Sequence, residues 1–173
     1  GKGGQSDGYA HSQLTSAEFT WLRTLRPQLK LNPEVFLCHG TPHSDCEHFL
    51  ESVCNGRLSV ASSGEITERL GDVLAPVVAC GHSHVPRSVR LPSGQLCVNP
   101  GSVGLQAYTD DHPEHYIMEL GTPDAHYAVI AKTTSGWACE SYAVPYDHAS
   151  MAKLARARGR PDWEQALLTG YAE

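Results

Sequence analysis

Gly81-His82-Ser83-His84 directly follows an apolar run that extends from Val73 to Cys80. His82 and His84 are two residues apart, so an extended backbone projects both side chains from one face, with Cα atoms about 6–7 Å apart. Gly81 and Ser83 are small and leave the backbone free to turn sharply beyond the strand. Because histidine is the commonest metal ligand, this pair is a candidate metal site.

A second apolar run, Val35-Phe36-Leu37-Cys38, ends in the same way at His39-Gly40-Thr41-Pro42. Both runs have the length and composition of buried strands. In open α/β sheets, binding sites lie beyond the carboxyl ends of the strands. One histidine after one strand is most often a turn residue, whereas two such strand ends together indicate one site. His39, His82 and His84 are therefore candidate ligands for Zn, Mn or Fe.

The rest of the chain has the periodicity of an α/β sandwich, which we expect to form one domain over residues 1–173. The chain begins without a Met, and Gly1 to Gly8 look like a cut end or a mobile loop. The expected helices cover about 15–26, 44–53, 62–70, 147–158 and 162–168. The expected strands cover 35–38, 73–80, 85–91, 95–98, 116–118, 127–131 and 137–144, with mostly loop over 104–124.

Composition narrows the functional classes. The chain has 173 residues, with 13 Lys and Arg against 19 Asp and Glu and a formal net charge of -6, which argues against a nucleic-acid binder. No apolar run approaches the roughly 20 residues that cross a bilayer, and no signal peptide is recognisable. The six cysteines lack C-x-x-C spacing and are interpreted as buried reduced thiols. We therefore expect a cytoplasmic protein without membrane contact.

Three motifs in combination resemble the late motifs of calcineurin-like metallophosphoesterases, in particular the small bacterial phosphoesterase branch. Ser6-Asp7 to Leu14, Tyr108 to His112 and Val144-Pro145-Tyr146-Asp147 also resemble that branch, so the resemblance extends over the whole chain. The three motifs are Phe36-Leu37-Cys38-His39-Gly40-Thr41-Pro42, Cys80-Gly81-His82-Ser83-His84-Val85-Pro86-Arg87 and Val98-Asn99-Pro100-Gly101-Ser102-Val103-Gly104.

The resemblance implies a four-layer αββα sandwich and a metal-dependent enzyme that hydrolyses a phosphomonoester or phosphodiester, with a small phosphate ester as its partner. It implies two divalent cations (Mn, Fe, Zn or Ni), with His39 and His82 on one metal and His84 on the other. Two cations about 3.5–4 Å apart bind phosphoryl oxygens, lower the pKa of a bridging water and stabilise charge during displacement. The residues expected to line the site are Gly40, Gly81, Asn99 and Gly101.

The sequence departs from the family's pattern in its earlier motifs. The family also has an early Asp-x-His, a Gly-Asp whose carboxylate bridges the metals, and an Asn-His that supplies a ligand and the general acid. The one Gly-Asp pair here, Gly71-Asp72, lies between the two histidine clusters and begins a strand, so we reject it as the bridging ligand. No Asn precedes a His, so the general-acid histidine has no counterpart.

We therefore interpret the chain as the C-terminal portion of a metallophosphoesterase domain that is incomplete at its N-terminus. Three neutral imidazoles can hold one Zn, but a dinuclear site needs negative bridging oxygen ligands. The hypothesis is that the parent protein is the enzyme and that this chain alone is impaired.

Two further clusters of charged residues have a plainer explanation than a site. A group in the long loop is either a second metal site or a solvated acidic loop, and it consists of Asp110, Asp111, His112 and His115. A basic strip on the penultimate helix is a solvated face by default, and it consists of Lys153, Arg156, Arg158 and Arg160.

Single residues beside the histidine clusters are also candidates. Arg87 could meet a phosphate with its planar fork or form a salt bridge. His43 could touch a substrate or lie on the surface at the start of a helix. Cys38 and Cys80 are interpreted as packing residues rather than as ligands or nucleophiles, because nothing in the sequence specifies an activated thiolate.

Two alternatives to the enzyme stay open. The same fold resembles a retromer subunit that binds partners through its surface, and a chain without the acidic motifs would suit such a non-catalytic scaffold. Upstream sequence carrying the missing motifs would favour the enzyme, and altered positions would favour the scaffold. Alternatively, the histidines hold one structural Zn, in which case chelation lowers thermal stability and phosphate analogues have no effect.

Overall fold

Five helices and eleven strands make up the described part of the chain, residues 4–172, in a computed structural model. The helices are α1 (Gln5–Gln13), α2 (Ser16–Leu22), α3 (Ser63–Leu70), α4 (His148–Ala157) and α5 (Pro161–Thr169). The strands are β1 (Gln28–Asn32), β2 (Val35–Cys38), β3 (Glu51–Cys54), β4 (Arg57–Val60), β5 (Val77–Ala79), β6 (Arg87–Arg90), β7 (Leu96–Asn99), β8 (Ala107–Asp110), β9 (Tyr116–Glu119), β10 (Ala125–Thr133) and β11 (Gly136–Val144).

The larger sheet has five strands in the order β1-β2-β5-β7-β6. Its centre is parallel, because β2 pairs with β5 and β5 pairs with β7. The two edges are antiparallel, with β1 on β2 and β6 on β7. Strands β5 and β7 are short apolar runs, the pattern typical of strands buried on both faces. The carboxyl ends of the three parallel strands therefore meet at one edge, close to His39, Gly81 and Asn99.

The second sheet has four strands in the order β3-β4-β9-β8. Strands β3 and β4 form a hairpin around Asn55-Gly56, whose φ angles of 53° and 70° are those that a tight two-residue turn requires. Strands β8 and β9 form a second hairpin. Strand β9 pairs in parallel with β4 and so joins the two hairpins into one sheet. A separate two-stranded sheet consists of β10 and β11, which pair over all nine residues of each strand.

The main hydrophobic core lies between α3 and the larger sheet. The buried positions of α3, Ile66 and Leu70, are four residues apart and share one face of the helix. The start of α3 is fixed by a capping box, in which the Glu65 amide donates to Ser62 Oγ at 3.2 Å and Ser62 N donates to Glu65 Oε2 at 2.8 Å. The helix packs against buried residues of β5, β7 and the segment before β3, among them Phe49, Leu50, Val78, Cys80 and Cys97.

Several predicted elements are confirmed. The antiparallel hairpin around Pro92-Ser93-Gly94 is formed by β6 and β7, and the later pair of strands is β10 and β11. Helices α3, α4 and α5 lie where capping and periodicity predicted helices. The mixed α/β class is therefore confirmed, while the four-layer order and the assignment of residues 1–173 to one domain stay predictions.

The predicted helix over 44–53 is wrong. Residues 44–50 contain no helix, and Glu51–Cys54 is a strand instead. The physical reason is the Asn55-Gly56 turn, which pairs Ser52 with Ser59 and so requires an extended backbone on both sides.

Other boundaries also differ from the sequence-based expectation. The mobile loop expected over residues 1–8 is wrong from Gln5 onward, where α1 begins, and residues 1–3 lie outside the described part. The cut end stays a prediction. The first predicted helix ends at Leu22, because the amides of Thr24 and Leu25 bond three residues back as turns. The predicted strand over 73–80 is ordered as β5 only after Pro76, which has no amide to donate to a ladder. The segment 104–124 contains β8 as well as the expected strand at 116–118.

The cysteines partly match the expectation of buried thiols. All six are free, with Cys80 and Cys97 buried and Cys46 and Cys54 exposed. The exposed pair therefore corrects the interpretation of all six as buried. In a separate respect, no helix among residues 4–172 combines the length and the apolar character needed to cross a membrane.

Replacing Leu70 by Ala is expected to lower the free energy of unfolding by about 2–5 kcal/mol, because it removes buried methyl groups and leaves a cavity under α3. Leu74 is 88% exposed and provides a matched control, so Leu74→Ala is expected to cost less than about 0.5 kcal/mol. Urea denaturation followed by circular dichroism measures both variants. Equal losses in the two variants would contradict the packing of α3 described above.

Candidate metal centre

The structure brings His39 and His82 together at the carboxyl edge of the parallel strands. Their ring centroids are 5.3 Å apart in an edge-on arrangement. The Gly81 amide donates to the carbonyl oxygen of His39 at 2.7 Å, which ties the two strand ends to one another. The parallel register of β2 and β5 sets this distance, so two segments far apart in sequence present their imidazoles to the same space.

His82 and His84 both have left-handed backbone conformations, with φ angles of 66° and 61°. Such angles are uncommon for residues other than glycine and cost conformational energy, so the surrounding structure must hold them. The backbone at Gly81-His82-Ser83-His84 is therefore a turn, and the extended backbone from which the sequence spacing predicted two side chains on one face is wrong. The residue that holds the turn is Asn99.

Asn99 is fully buried at the end of β7 and bonds to three separate groups. Its Nδ2 donates to the carbonyl oxygen of Gly81 at 2.7 Å and to Ser83 Oγ at 2.9 Å. Its Oδ1 accepts from the Gly101 amide at 2.9 Å. Asn99, expected to line the site, thus fixes the two loops on either side of it and leaves no side-chain hydrogen unused.

Gly40 and Gly101, which were expected to line the site, have no room for a side chain. A Cβ on Gly40 would lie 2.5 Å from the carbonyl oxygen of Glu47 and 2.6 Å from that of Ser44. Gly101 has a φ of 86°, and a Cβ there would lie 2.8 Å from the Cβ of His126. These two glycines therefore allow the loops beneath the histidines to pack closely.

His84 is oriented by groups of the loop after β7 and of β8. Its Nδ1 donates to the carbonyl oxygen of Leu105 at 2.9 Å, since a carbonyl can only accept. Its ring stands edge-on to Tyr108 with centroids 5.5 Å apart, and the Tyr108 hydroxyl donates to the Ser83 carbonyl at 3.3 Å. The bond from His84 Nδ1 to Leu105 places the proton on Nδ1 and leaves the Nε2 lone pair of His84 available. This arrangement is typical of metal-bound histidine.

His48 was not among the sequence-predicted candidates, yet it lies against His82 with ring centroids 4.9 Å apart. It is 8% exposed, and its Nε2 shares a 3.0 Å hydrogen bond with the hydroxyl of Tyr116. Its Nδ1 is buried and has no hydrogen-bond partner among residues 4–172. Burial lowers the pKa of His48 to about 4, and the neighbouring His82 acts in the same direction.

The surroundings of His82 favour its neutral form. Burial lowers the pKa of His82 and the neighbouring His39 lowers it further, while a backbone hydrogen bond at Cys46 and the charge of Asp110 act in the opposite direction. A neutral imidazole has the free lone pair that a metal ion requires. His48 and His82, whose pKa values are both lowered, are therefore neutral near pH 7.

A buried ion pair lies directly beneath this loop. Glu51 is 1% exposed, and its Oε1 accepts from Arg87 Nε at 2.8 Å. Burial raises the pKa of Glu51, while hydrogen bonds from Ser83 and Arg87 act to lower it. Arg87 thus has the salt-bridge role, with a carboxylate that is buried rather than on the surface.

The other candidates make local contacts of their own, and Asp110 is also close enough to His48 and His82 to act on their pKa values. In the acidic loop, Asp110 Oδ1 accepts the amides of Asp111 and His112 at 2.7 and 3.1 Å, so this carboxylate caps a turn. His115 pairs with Asp111 at 2.7 Å in an exposed position. The ring of His43 covers Gly71 at the end of α3. These contacts are structural, and a metal-binding role of the acidic loop stays a prediction.

The cysteines and the basic strip also have structural roles. Burial raises the pKa of Cys38 to about 12 and that of Cys80 well above its usual range, so neither thiol is an activated nucleophile. In the basic strip, Arg156 pairs with Glu164 at 3.1 Å and Arg160 with Asp162 at 2.6 Å.

The donor set fits the nitrogen ligands of a metal centre but lacks the oxygen ligands. Within residues 4–172, no three side chains of His, Cys, Asp or Glu are arranged so as to hold one metal ion. A dinuclear centre needs negative bridging oxygen ligands, and the imidazoles of His39, His82 and His84 are neutral. The described residues therefore do not by themselves form such a centre.

Neither a protein-family model nor a curated protein matches the chain. Solved structures do match. A metallophosphoesterase from Sphaerobacter thermophilus matches with a TM-score of 0.67 and 19% identity, over 94% of this chain and 66% of that one. The chain has the metallophosphoesterase fold.

A hypothetical protein from Pyrococcus horikoshii OT3 shares this metallophosphoesterase fold, with a TM-score of 0.67 and 16% identity over 95% of this chain and 59% of that one. The chain thus spans less than two thirds of the length of either protein. A single mutant of Vps29 from Entamoeba histolytica matches with a TM-score of only 0.35 and 15% identity, over 71% of this chain and 63% of that one, and supports no argument.

In this metallophosphoesterase fold, Asn99→Asp is expected to lower the free energy of unfolding by about 2–4 kcal/mol, because two buried groups lose their donor. It is also expected to shift the imidazole NMR resonances of His82 and His84. The control is Asn55→Asp, an exposed turn residue whose left-handed backbone Asp tolerates. If Asn99→Asp left both stability and resonances unchanged, Asn99 would not hold the loop.

The stability of the metal-free protein is expected to depend on pH through His48. His48 takes up a proton near pH 6.5 in the unfolded state but only near pH 4 in the native state. Stability is therefore lost as the pH falls from about 6.5 to about 4. The loss attributable to His48 is up to about 3 kcal/mol.

Urea denaturation at pH 7 and pH 4 with a chelator present measures this dependence. His48→Gln is expected to reduce the difference in stability between the two pH values, whereas the exposed His11→Gln variant is expected to keep it. A His48→Gln profile that parallels the native one would contradict the burial of a neutral imidazole.

Proposed function

We propose that this chain supplies the histidine ligands of a metal-dependent phosphoesterase that hydrolyses a phosphomonoester or phosphodiester. The observation that carries the proposal is the convergence of His39 and His82, 5.3 Å apart, beyond parallel strands of a metallophosphoesterase fold. The activity is proposed for the parent protein, and this chain alone is impaired, because the described residues lack the bridging carboxylates.

Each residue of the cluster has a defined task in this proposal. His39 and His82 offer neutral nitrogen ligands to one cation, and His84 offers its Nε2 to a second. Leu105 keeps the proton of His84 on Nδ1, and Asn99 holds the loop that carries both histidines. When bound, two divalent cations supply Lewis-acid stabilisation of the phosphoryl oxygens and acidify a water.

The nitrogen ligands indicate a class of divalent transition metals rather than one metal. Nitrogen-rich mixed sites accept Mn, Fe, Zn or Ni, and the metal that is available often decides. The partner is a small phosphate ester, and the proposed compartment is the cytoplasm, which six free thiols support.

Metal titration tests the proposal directly. Zn²⁺ added to the purified chain is expected to shift the imidazole resonances of His39 and His82 in NMR spectra. Calorimetry is expected to show that His82→Gln lowers the affinity by at least about tenfold, because a direct ligand is lost. His43→Gln is the matched control, since that nearby ring covers Gly71 instead of facing the cluster.

Two results would count against the proposal. Unchanged Zn²⁺ affinity in the His82→Gln variant would overturn the assignment of the cluster and favour the non-catalytic scaffold. Robust metal-dependent hydrolysis of an aryl phosphodiester by residues 1–173 alone would contradict the statement that this chain is impaired. With the carboxylates absent, we expect turnover of that ester to be barely detectable.

A further inference from the structure

His48 packs against the proposed ligand His82 and has no task of its own in the proposed function. The centroids of the two rings are 4.9 Å apart, and their planes are inclined by 31°. Only 8% of His48 is exposed, because the next two residues, Phe49 and Leu50, belong to the hydrophobic core. A backbone hydrogen bond at Cys46 also involves His82. The segment before β3 therefore holds His48 against the ring of His82.

Two tyrosines of the second sheet connect His48 to the turn after β5. The hydroxyl of Tyr116 lies 3.0 Å from His48 Nε2 and donates to the hydroxyl of Tyr108 at 3.3 Å. The Tyr108 hydroxyl donates in turn to the carbonyl oxygen of Ser83 at 3.3 Å. Ser83 is the middle residue of the turn that carries two of the proposed ligands. This hydroxyl chain, from His48 through Tyr116 and Tyr108 to Ser83, therefore joins the second sheet to the candidate site.

The direction of the hydrogen bonds in the hydroxyl chain assigns the proton of His48. A carbonyl oxygen can only accept, so Tyr108 uses its proton on Ser83, and Tyr116 uses its proton on Tyr108. The bond between Tyr116 and His48 then requires the proton of His48 Nε2. A neutral imidazole has one N–H group, so Nδ1 carries a lone pair. This Nδ1 is buried and has no partner within residues 4–172.

The unpaired Nδ1 argues against a purely structural role for His48. A buried acceptor without a partner destabilises a fold, and an apolar side chain of similar size would fill the same space without that cost. An apolar side chain could not bond to Tyr116, and this bond sets the orientation of the ring against which His82 packs. Groups behind a metal-binding imidazole commonly set its orientation in this way.

We propose that His48 and Tyr116 are positioning residues that hold the imidazole of His82 in the orientation in which it binds a cation. The inference rests on the proposed function, because the orientation of His82 matters to the reaction only if His82 is a ligand. His48 acts through His82 and is not a ligand itself. In agreement, no three side chains of His, Cys, Asp or Glu in the described part of the chain are arranged around one ion.

Tyr116→Phe tests the proposal, because it keeps the buried ring and removes only the hydroxyl that orients His48. The affinity for Zn²⁺, measured by calorimetry, is expected to fall by at least about fivefold. The ring resonances of His82 in the metal-free chain are expected to shift. Tyr142→Phe is the matched control, since that half-exposed tyrosine of β11 bonds to Glu140. A lower thermal stability with unchanged Zn²⁺ affinity would mean that Tyr116 is only structural and would overturn the proposal.

A double-mutant cycle separates positioning from direct ligation. His48→Gln is expected to lower the Zn²⁺ affinity of the native chain by at least about fivefold. The same change is expected to leave the affinity of the His82→Gln variant as it is, because the residue through which His48 acts is gone. A further loss in the His82→Gln background would make His48 a ligand and would overturn the proposal. An unchanged affinity in His48→Gln alone would also overturn it.

A measurement on the native chain does not depend on any variant folding. Long-range ¹H–¹⁵N correlation spectra at pH 7 are expected to show the proton of His48 on Nε2. A proton on Nδ1 would overturn the hydroxyl chain and the proposal with it.

The same titrations distinguish failure of this inference from failure of the proposed function. If His82→Gln leaves the Zn²⁺ affinity unchanged, His82 is not a ligand, and the proposed function and the inference both fail. If His82→Gln lowers the affinity while His48→Gln and Tyr116→Phe do not, the positioning role alone is overturned.

Discussion

The three hydrogen bonds of Asn99 are the constraint on which the candidate site depends. They join the end of β7 to the turn that carries His82 and to the loop that begins at Gly101. The parallel pairing of β2, β5 and β7 brings these segments to one edge, but it does not dictate the left-handed backbone of His82. A fully buried amide with every side-chain hydrogen used makes that conformation the stable one.

Burial beneath the site shapes its electrostatics. Glu51 accepts a hydrogen bond from Arg87, and burial lowers the pKa values of His48 and His82 while it raises that of Glu51. Burial therefore favours the uncharged form of each of these groups. The neutral imidazole of His82 can accept a cation without first losing a proton.

The sequence predicted the parts of the site that follow from local pattern. Apolar runs that stop at a histidine, as before His39 and His82, locate strand ends because burial and a polar terminus are both visible in one stretch. His48 could not be predicted, because its burial comes from contact with Tyr116 of a distant strand. The local sequence pattern predicts a helix for its segment. The hairpin turn at Asn55-Gly56 makes the end of that segment a strand instead. In the same way, pairing with β9 stabilises β8, whose sequence has little periodicity.

The left-handed histidines also bear on how such a chain would respond to selection for stability alone. At φ angles of 66° and 61°, glycine is free of the steric cost that a β-carbon imposes on His82 and His84. Laboratory evolution that rewarded only thermal resistance would therefore be drawn towards glycine at these two positions and would erase the imidazoles. Retention of histidine under such a screen would mean that binding of a cation offsets the conformational cost of these backbone angles.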